Sequence, residues 1–411
     1  MQDKKIMNRL KEKRQDFPML KKNIRGKPFI YLDSAATSLK PQTVIDAISD
    51  FYQNHYGTVH RSVYQTAVHA TEKHHEVRKK ISRFLGAERE EEIIFTKGST
   101  DGINLVASSF GKAFISEGDE VLISGMEHHS NIVPWQMICQ ERKAALKVFP
   151  INSLGEVELD EYEKMLSHKT KIVAFSHVSN VLGTVNPVKE MTKIAHNMGA
   201  KVLVDGAQAV AHTPVDVQDL NVDFYVFSSH KAYGPTGIGV LYGKYDLMER
   251  MPPYQGGGDM IENVSFEKTT YAPLPIKFEA GTPMIAQTIG LGAAIDYLSH
   301  IDFQHIHLHE QNLLHKGTKL LKEIDGLTIL GDSPLKSSIL TFSIDGIHPL
   351  DIGTALDLKG IAVRTGHHCA QPLLAYFNLP AATRISLALY NTEEEIEFFY
   401  ESLGKTLNIL R

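Results

Sequence analysis

Val202-Leu203-Val204-Asp205-Gly206-Ala207-Gln208 sets three branched apolar residues directly before an acid, a glycine and an amide. A short apolar run closed by a glycine turn reads as a buried strand, with the polar groups at its carboxyl end. The same layout recurs outward along the chain. Val121-Leu122-Ile123 leads to Glu127-His128-His129-Ser130-Asn131. Ile172-Val173-Ala174-Phe175 leads to Ser176-His177-Val178-Ser179-Asn180. Phe224-Tyr225-Val226-Phe227 leads to Ser228-Ser229-His230-Lys231. Ile93-Ile94-Phe95 and Ile238-Gly239-Val240-Leu241 are further strand candidates, and helical patterns fall at 42–52, 102–110, 131–144 and 187–197. Strands alternating with helices predict an α/β fold on a mainly parallel sheet. Ligands of such sheets sit at the carboxyl ends of the strands. Four strands that deliver His, Asn, Asp, Gln, Ser and Lys to one rim therefore predict an active site there.

Near residue 285 the character changes. Residues 285–321 read as two long helices, followed by strands at 327–330, 338–344, 361–363 and 385–389 around a helix at 350–358. A final helix is expected from Thr392, with Glu395 as its capping-box partner. This is the pattern of a smaller α+β unit.

The composition narrows the function classes. The chain has 411 residues, 43 Lys and Arg against 48 Asp and Glu, a net charge of −5, and 43% hydrophobic residues. That mix excludes a disordered, collagen-like or disulfide-scaffold chain. It offers no general attraction to nucleic acid or to anionic membrane. With only Cys139 and Cys369, a reducing, cytoplasmic location is expected. No apolar run reaches the length of a membrane span. Residues 1–22 lack a signal-peptide core and carry Asp3, Glu12 and Asp16, against a targeting segment. Ile6, Met7 and Leu10 share one helical face there, so a short surface helix is expected. Cys139, beside Met137 and Ile138, reads as a buried apolar residue.

Three local readings carry chemistry. Thr96-Lys97-Gly98-Ser99-Thr100-Asp101-Gly102 lies between a strand and a helix. Such a turn offers backbone N–H groups and the positive end of the helix dipole to an anion such as phosphate, and also suits a plain cap. Lys231 follows a strand and precedes the turn Tyr233-Gly234-Pro235, which sets it in a cleft. Burial lowers a lysine's pKa and frees its amine for a Schiff base. Asp205 ends a neighbouring strand and needs a cationic partner if buried. Lys plus Asp is the recurring protein contribution to pyridoxal phosphate chemistry. Ser228-x-x-Lys231 also matches a serine acyl-enzyme pattern, but the accompanying Ser-Asp-Asn and Lys-Thr-Gly are absent. No Gly-x-Gly-x-x-Gly follows a strand. The 20 histidines form no ligand set, since His305, His307 and His309 splay around a helix and the pairs His74-His75 and His367-His368 are poorly spaced. No metal is expected.

With these residues and Arg364-Thr365-Gly366-His367-His368-Cys369-Ala370-Gln371-Pro372 in place, the chain resembles the cysteine desulfurases. Within the class V aminotransferase group it is similar to the SUF-type desulfurases, also described as selenocysteine lyases. The likeness runs from Tyr31-Leu32-Asp33-Ser34-Ala35-Ala36-Thr37 to Leu389-Tyr390-Asn391-Thr392. It implies the type I fold of pyridoxal phosphate-dependent transferases: a large domain over 31–298 with a seven-stranded, mainly parallel sheet, and a small domain from 1–30 and 299–411. Pyridoxal 5'-phosphate is the implied cofactor. Lys231 would hold it as a Schiff base and move the substrate's Cα proton. Asp205 would pair with the pyridinium nitrogen, Gln208 would bond the phenolic oxygen, and His128 would stack on the ring and assist catalysis. Thr100, Ser228 and His230 would bind the phosphate, with Asp101 beside them. Thr282 would reach the phosphate of a neighbouring subunit, implying a homodimer. Asn180, Arg364 and Arg384 would bind the substrate. Cys369 would take sulfur from L-cysteine as a persulfide, with His367, His368 and Arg364 supplying positive or hydrogen-bonding character. His60 and Arg61 resemble a subunit-contact segment.

The expected activity is conversion of L-cysteine to L-alanine, with selenocysteine as a second substrate and sulfur passed to an acceptor for iron-sulfur cluster assembly. Leu350 stands where relatives that serve a zinc-containing, SufU-like scaffold tend to place a second His, which leaves a SufE-like acceptor open. Ala370-Gln371-Pro372 looks like those same relatives, so the two features point to different acceptors. The alternatives are a kynureninase-like hydrolase, which needs no sulfur acceptor, and a non-catalytic scaffold relative, which needs no Lys231, Asp205, Gln208 and Cys369 together.

Overall fold

A computed structural model describes residues 10, 12–60 and 62–411; the expectations on residues 1–9 and on Arg61 lie outside these. The larger sheet holds seven strands: β1 (Ile93–Thr96), β2 (Glu120–Ser124), β3 (Ala145–Phe149), β4 (Thr170–Ser176), β5 (Lys201–Asp205), β6 (Phe224–Ser228) and β7 (Gly239–Gly243). Their order is β1-β7-β6-β5-β4-β2-β3, with β7 antiparallel to both neighbours and every other pair parallel. The inner strands are buried along nearly their whole length, which is why they read as apolar runs. The edge strand β3 escapes that reading because only Phe149 of it is buried and it carries Lys147. Glu120, near the start of β2, pairs with that lysine at 2.7 Å.

The long helix Gln65–Leu85 is also absent from the sequence reading. Its buried face includes the alanines Ala67 and Ala70 as well as Val77, Ile81 and Leu85, and it packs on the helix Ile285–Ser299. Small residues give a weak apolar period but close helix contact.

The second sheet is antiparallel, in the order Leu327–Leu330, Ile339–Ile344, Ala382–Ser386, Arg364–Gly366. The helices Phe303–Lys322 and Glu393–Leu410 pack against each other beside it. Thr392 caps the last helix, and the reciprocal bond from Glu395 completes the capping box. The strand expected at 385–389 falls instead at Ala382–Ser386. Its middle carries Thr383 and Arg384, polar residues that the apolar pattern does not mark.

The expected N-terminal helix lies mostly outside the described residues; of those described there, residues 10, 12 and 13 are helical and the chain then leaves the helix. It makes short turns at Arg14–Asp16 and Pro18–Lys21 that strap the N-terminal segment across the molecule. Phe17 is fully buried, with its ring 4.7 Å from Tyr390, 5.8 Å from Tyr233 and 6.0 Å from Tyr297. Arg14 pairs with Glu395 at 2.6 Å and donates to the Tyr390 carbonyl at 2.7 Å. Further on, Ile30–Tyr31 pairs in parallel with Ile361–Ala362, and Ile30 and Leu32 join the core of the smaller sheet. Since Phe17 joins these three tyrosines in one aromatic group, Phe17→Ala is expected to cost about 3–5 kcal/mol. Thermal unfolding followed by circular dichroism checks this.

Candidate active site

Lys231 closes the turn Ser229–Lys231 that follows β6. The turn is tight: a Cβ on Gly234 would lie 2.1 Å from the Ser229 hydroxyl, so only glycine fits there. A second segment clamps it from outside. The His230 carbonyl accepts from the Ser38 N–H at 3.0 Å, the Thr37 and Ser38 hydroxyls at 3.1 Å, and the Lys40 amine at 2.8 Å. Lys231 thus stands on a fixed base. It lines a cleft of about 190 Å³ at the carboxyl ends of the strands. Burial lowers its pKa to about 8, although Asp205 pulls the other way.

Asp205 ends β5 beside it and is 6% exposed. One of its oxygens accepts from the Ala207 N–H at 3.0 Å. Burial raises its pKa, and Lys231 opposes the rise. A carboxylate so enclosed wants a cation within the cleft. Gln208 donates to the Ala35 carbonyl at 2.7 Å and also lines the cleft. His128 is held by Ser130, whose N–H donates to its Nδ1 at 3.1 Å. Burial, reinforced by Lys231, lowers its pKa to about 3, so the ring is neutral and offers a flat face. Glu127, not singled out from sequence, fixes this loop: it accepts from Asn131 at 2.7 Å and from the Ser176 N–H at 3.0 Å.

One end of the cleft suits a phosphate. The helix Ser99–Phe114 begins there, and Thr100, Ser228 and His230 all line the wall. The Ser99 N–H donates to the Ser228 hydroxyl at 2.8 Å. A Cβ on Gly239 would lie 2.5 Å from the Gly98 Cα, so β7 needs glycine to bring this loop in close. Asp101 is a correction. It is absent from the cleft wall, because successive helical residues turn by about 100° and its side chain folds back. Its carboxylate accepts from the Lys97 N–H at 2.9 Å. Thr282 is also outside, in a separate groove with Asp101 and Tyr254.

At the other end stand Arg384, Arg364, Asn180 and Cys369. Strand register sets Arg364 directly opposite Arg384, a repulsive arrangement by itself. Asp33 resolves it. One oxygen meets Arg384 at 3.1 Å and the other meets Arg364 at 3.9 Å. Burial raises the Asp33 pKa, and the arginines hold it down. Arg384 is 2% exposed and also donates to the Asn180 carbonyl at 2.8 Å. Its Nε has no partner among the described residues. Asp33 was missed in the sequence, where only its place in a small polar run marks it. Asn180, expected at the substrate, spends one N–H on the His368 carbonyl at 2.8 Å.

Cys369 is half-buried at the cleft wall, whereas Cys139 is buried and its thiol is pushed up to about 11. His368 supplies no positive charge. Burial, with Arg384 nearby, lowers its pKa to about 3, and its Nε2 meets the Ala382 carbonyl at 3.1 Å. Among the described residues no group of acids, histidines and cysteines is arranged to hold a metal ion. None of the described helices is long and apolar enough to cross a membrane.

The family described as aminotransferase class-V matches residues 30–399. The chain belongs to that family. The class-V chain is 50% identical over 398 residues to a cysteine desulfurase of Escherichia coli O127:H6, covering 97% of itself and 98% of that protein. It is 50% identical over 384 residues to a cysteine desulfurase of Synechococcus elongatus, covering 93% of itself but 61% of that longer protein. The crystal structure of cysteine desulfurase CsdA (S-sulfonic acid) from Escherichia coli superimposes with a TM-score of 0.90 at 38% identity, covering 97% of this class-V chain and 98% of that one.

The lowered pKa of Lys231 gives a test. Only the neutral amine attacks an aldehyde. Cofactor-free protein should therefore attach pyridoxal phosphate faster as pH rises, with a midpoint near pH 8. Absorbance during reconstitution checks this, and a midpoint at the ordinary lysine value would show an amine in open solvent.

Proposed function

We propose that the chain is a pyridoxal 5'-phosphate-dependent cysteine desulfurase that converts L-cysteine to L-alanine and retains the sulfur as a persulfide on Cys369. The observation that carries this is one cleft holding both the Lys231–Asp205 pair and a half-buried thiol. A hydrolase of the same family needs the first and not the second.

The residues present fit the cofactor. Asp205 is a buried carboxylate facing a cleft, ready for a protonated pyridine nitrogen. His128 offers a neutral ring face, Gln208 an amide, and Thr100, Ser228, His230 and the helix end a place for phosphate. The bound cofactor supplies the electron sink that allows the bonds at Cα, and then the bond between Cβ and sulfur, to break. Lys231 anchors it and then, as a free amine near pH 8, takes the Cα proton of cysteine. Asp205 keeps the ring nitrogen charged. Arg384 retains N–H capacity for the substrate carboxylate, and Asn180 and Arg364 flank it. Cys369 attacks the substrate sulfur as a thiolate. A sulfur–sulfur bond forms, the carbon–sulfur bond breaks, and the freed carbon takes up a proton. Cysteine plus enzyme thiol thus gives alanine plus enzyme persulfide.

The finer reading is also ours. Division into a cofactor-binding domain at 31–298 and a small domain from 1–30 and 299–411 is supported by the two sheets, each with its own core. A homodimer, in which Thr282 serves the neighbouring site, is supported by exposed Tyr52, Tyr56, Val63 and Tyr64 along one stretch. A SUF-type role, a SufE-like or SufU-like acceptor and a cytoplasmic location follow from the resemblance. Selenocysteine is proposed as a second substrate because its weaker carbon–selenium bond needs less help.

Two variants test the assignment. Lys231→Ala should abolish alanine formation and lose the borohydride-reducible link to the cofactor; a link that persisted would identify another lysine. Cys369→Ala should still bind the cofactor and show a spectral change with cysteine. It should release no alanine at a useful rate and carry no added sulfur by mass spectrometry, while selenocysteine is still consumed. Normal desulfuration by Cys369→Ala would remove Cys369 from the mechanism.

A further inference from the structure

Cys369 sits in a turn that side-chain-bearing residues rarely adopt. Gly366, His368 and Cys369 have φ of 118°, 52° and 55°. Left-handed backbone at His368 and Cys369 persists only where the surroundings over-determine it. The restraints are identifiable. The Cys369 carbonyl accepts from the His129 N–H at 2.7 Å. The Gln371 N–H donates to the His129 Nε2 at 3.0 Å. The His368 carbonyl takes the Asn180 amide already described. His129 therefore grips the turn twice, at the thiol-bearing residue and two residues beyond.

The two grips differ in kind. The first uses backbone and survives any substitution except proline. The second needs a ring nitrogen with a free lone pair, so His129 is the neutral tautomer protonated at Nδ1. Its ring lies 5.6 Å from that of His367 and 6.3 Å from that of His128. Burial, then His367, holds its pKa below the ordinary value, which keeps the acceptor available. His129 is not among the residues lining the cleft. Its contacts are with the turn and not with the cleft.

We propose that His129 is the positioning residue of the thiol: its Nε2 bond to the Gln371 amide fixes the left-handed turn that sets Cys369 at the cleft wall. The proposal rests on the reading of Cys369 as sulfur acceptor and goes beyond it by naming what aims that acceptor. His128 belongs to the cofactor face and His129 to the nucleophile face, so two adjacent histidines serve opposite sides of one reaction.

The test compares His129→Gln, whose amide oxygen can accept from Gln371, with His129→Leu, which cannot, in the cofactor-loaded enzyme. Three quantities are read: kcat and KM for cysteine, the spectral change on adding cysteine, and the rate at which iodoacetamide alkylates Cys369, with buried Cys139 as internal control. His129→Leu should lower kcat by about ten- to a hundredfold, as expected for a misplaced reacting group. KM and the spectral change should stay at wild-type values, and the alkylation rate of Cys369 should move at least about threefold. His129→Gln should restore all three toward wild type. Should His129→Leu not fold by circular dichroism, His129→Asn replaces it, because its acceptor is too short to reach Gln371. Wild-type kcat in the Leu or Asn variant, equal damage in the Gln variant, or a defect confined to KM would overturn the proposal. The alkylation rate reports on the turn whether or not Cys369 accepts sulfur, so failure of that underlying reading, seen in Cys369→Ala, is separately visible.

Discussion

Enclosed charge is the constraint on which the rest of the molecule depends. Lys231, Arg364 and Arg384 line the cleft. Asp205 also lines it, and Asp33 bridges the two arginines behind. An unpaired charge removed from water costs several kcal/mol, so the buried Arg384 and Asp205 must find opposites at short range, while Arg364 stays partly in solvent. Three cations against two carboxylates leave one positive charge in excess. That excess makes the cleft attractive to an anionic substrate and intolerant of an empty apolar one. The strands, the lysine turn and the N-terminal segment all serve to hold these charges at their distances.

Burial does the remaining chemical work by removing charge from neighbouring groups. Near neutral pH His128 and His368 are uncharged, while Lys231 is brought within reach of its neutral form. One effect thus prepares a flat ring, a structural hydrogen bond and a nucleophilic amine. Their different duties come from what each one touches, not from residue type.

The sequence revealed the inner strands because full burial leaves no room for polar interruption, and the site because polar residues gather where those strands end. The helix Gln65–Leu85 was hidden by its alanines, and β3 by its exposure at the sheet edge. Asp33 was hidden by distance: it meets Arg384 across 351 positions, and no local pattern connects them. Asp101 was misplaced because proximity in sequence to Thr100 says nothing about which way a helix turns. His129 was passed over for its neighbour, since nothing in His128-His129 tells which ring faces the cleft.

The N-terminal strap has a consequence for biosynthesis. Phe17 rests on Tyr390, Ile30–Tyr31 pairs with Ile361–Ala362, and Asp33 meets Arg384. A segment made early thus finds its native neighbours among residues made much later, 351 positions on for Asp33 and Arg384. Thr37, Ser38 and Lys40 likewise wait for the His230 carbonyl. Such long-range closure is slow and leaves apolar side chains without cover meanwhile. The cleft is therefore completed only after residue 384 has emerged, and a nascent chain stalled before it would carry Lys231 and Asp205 but have no finished substrate site.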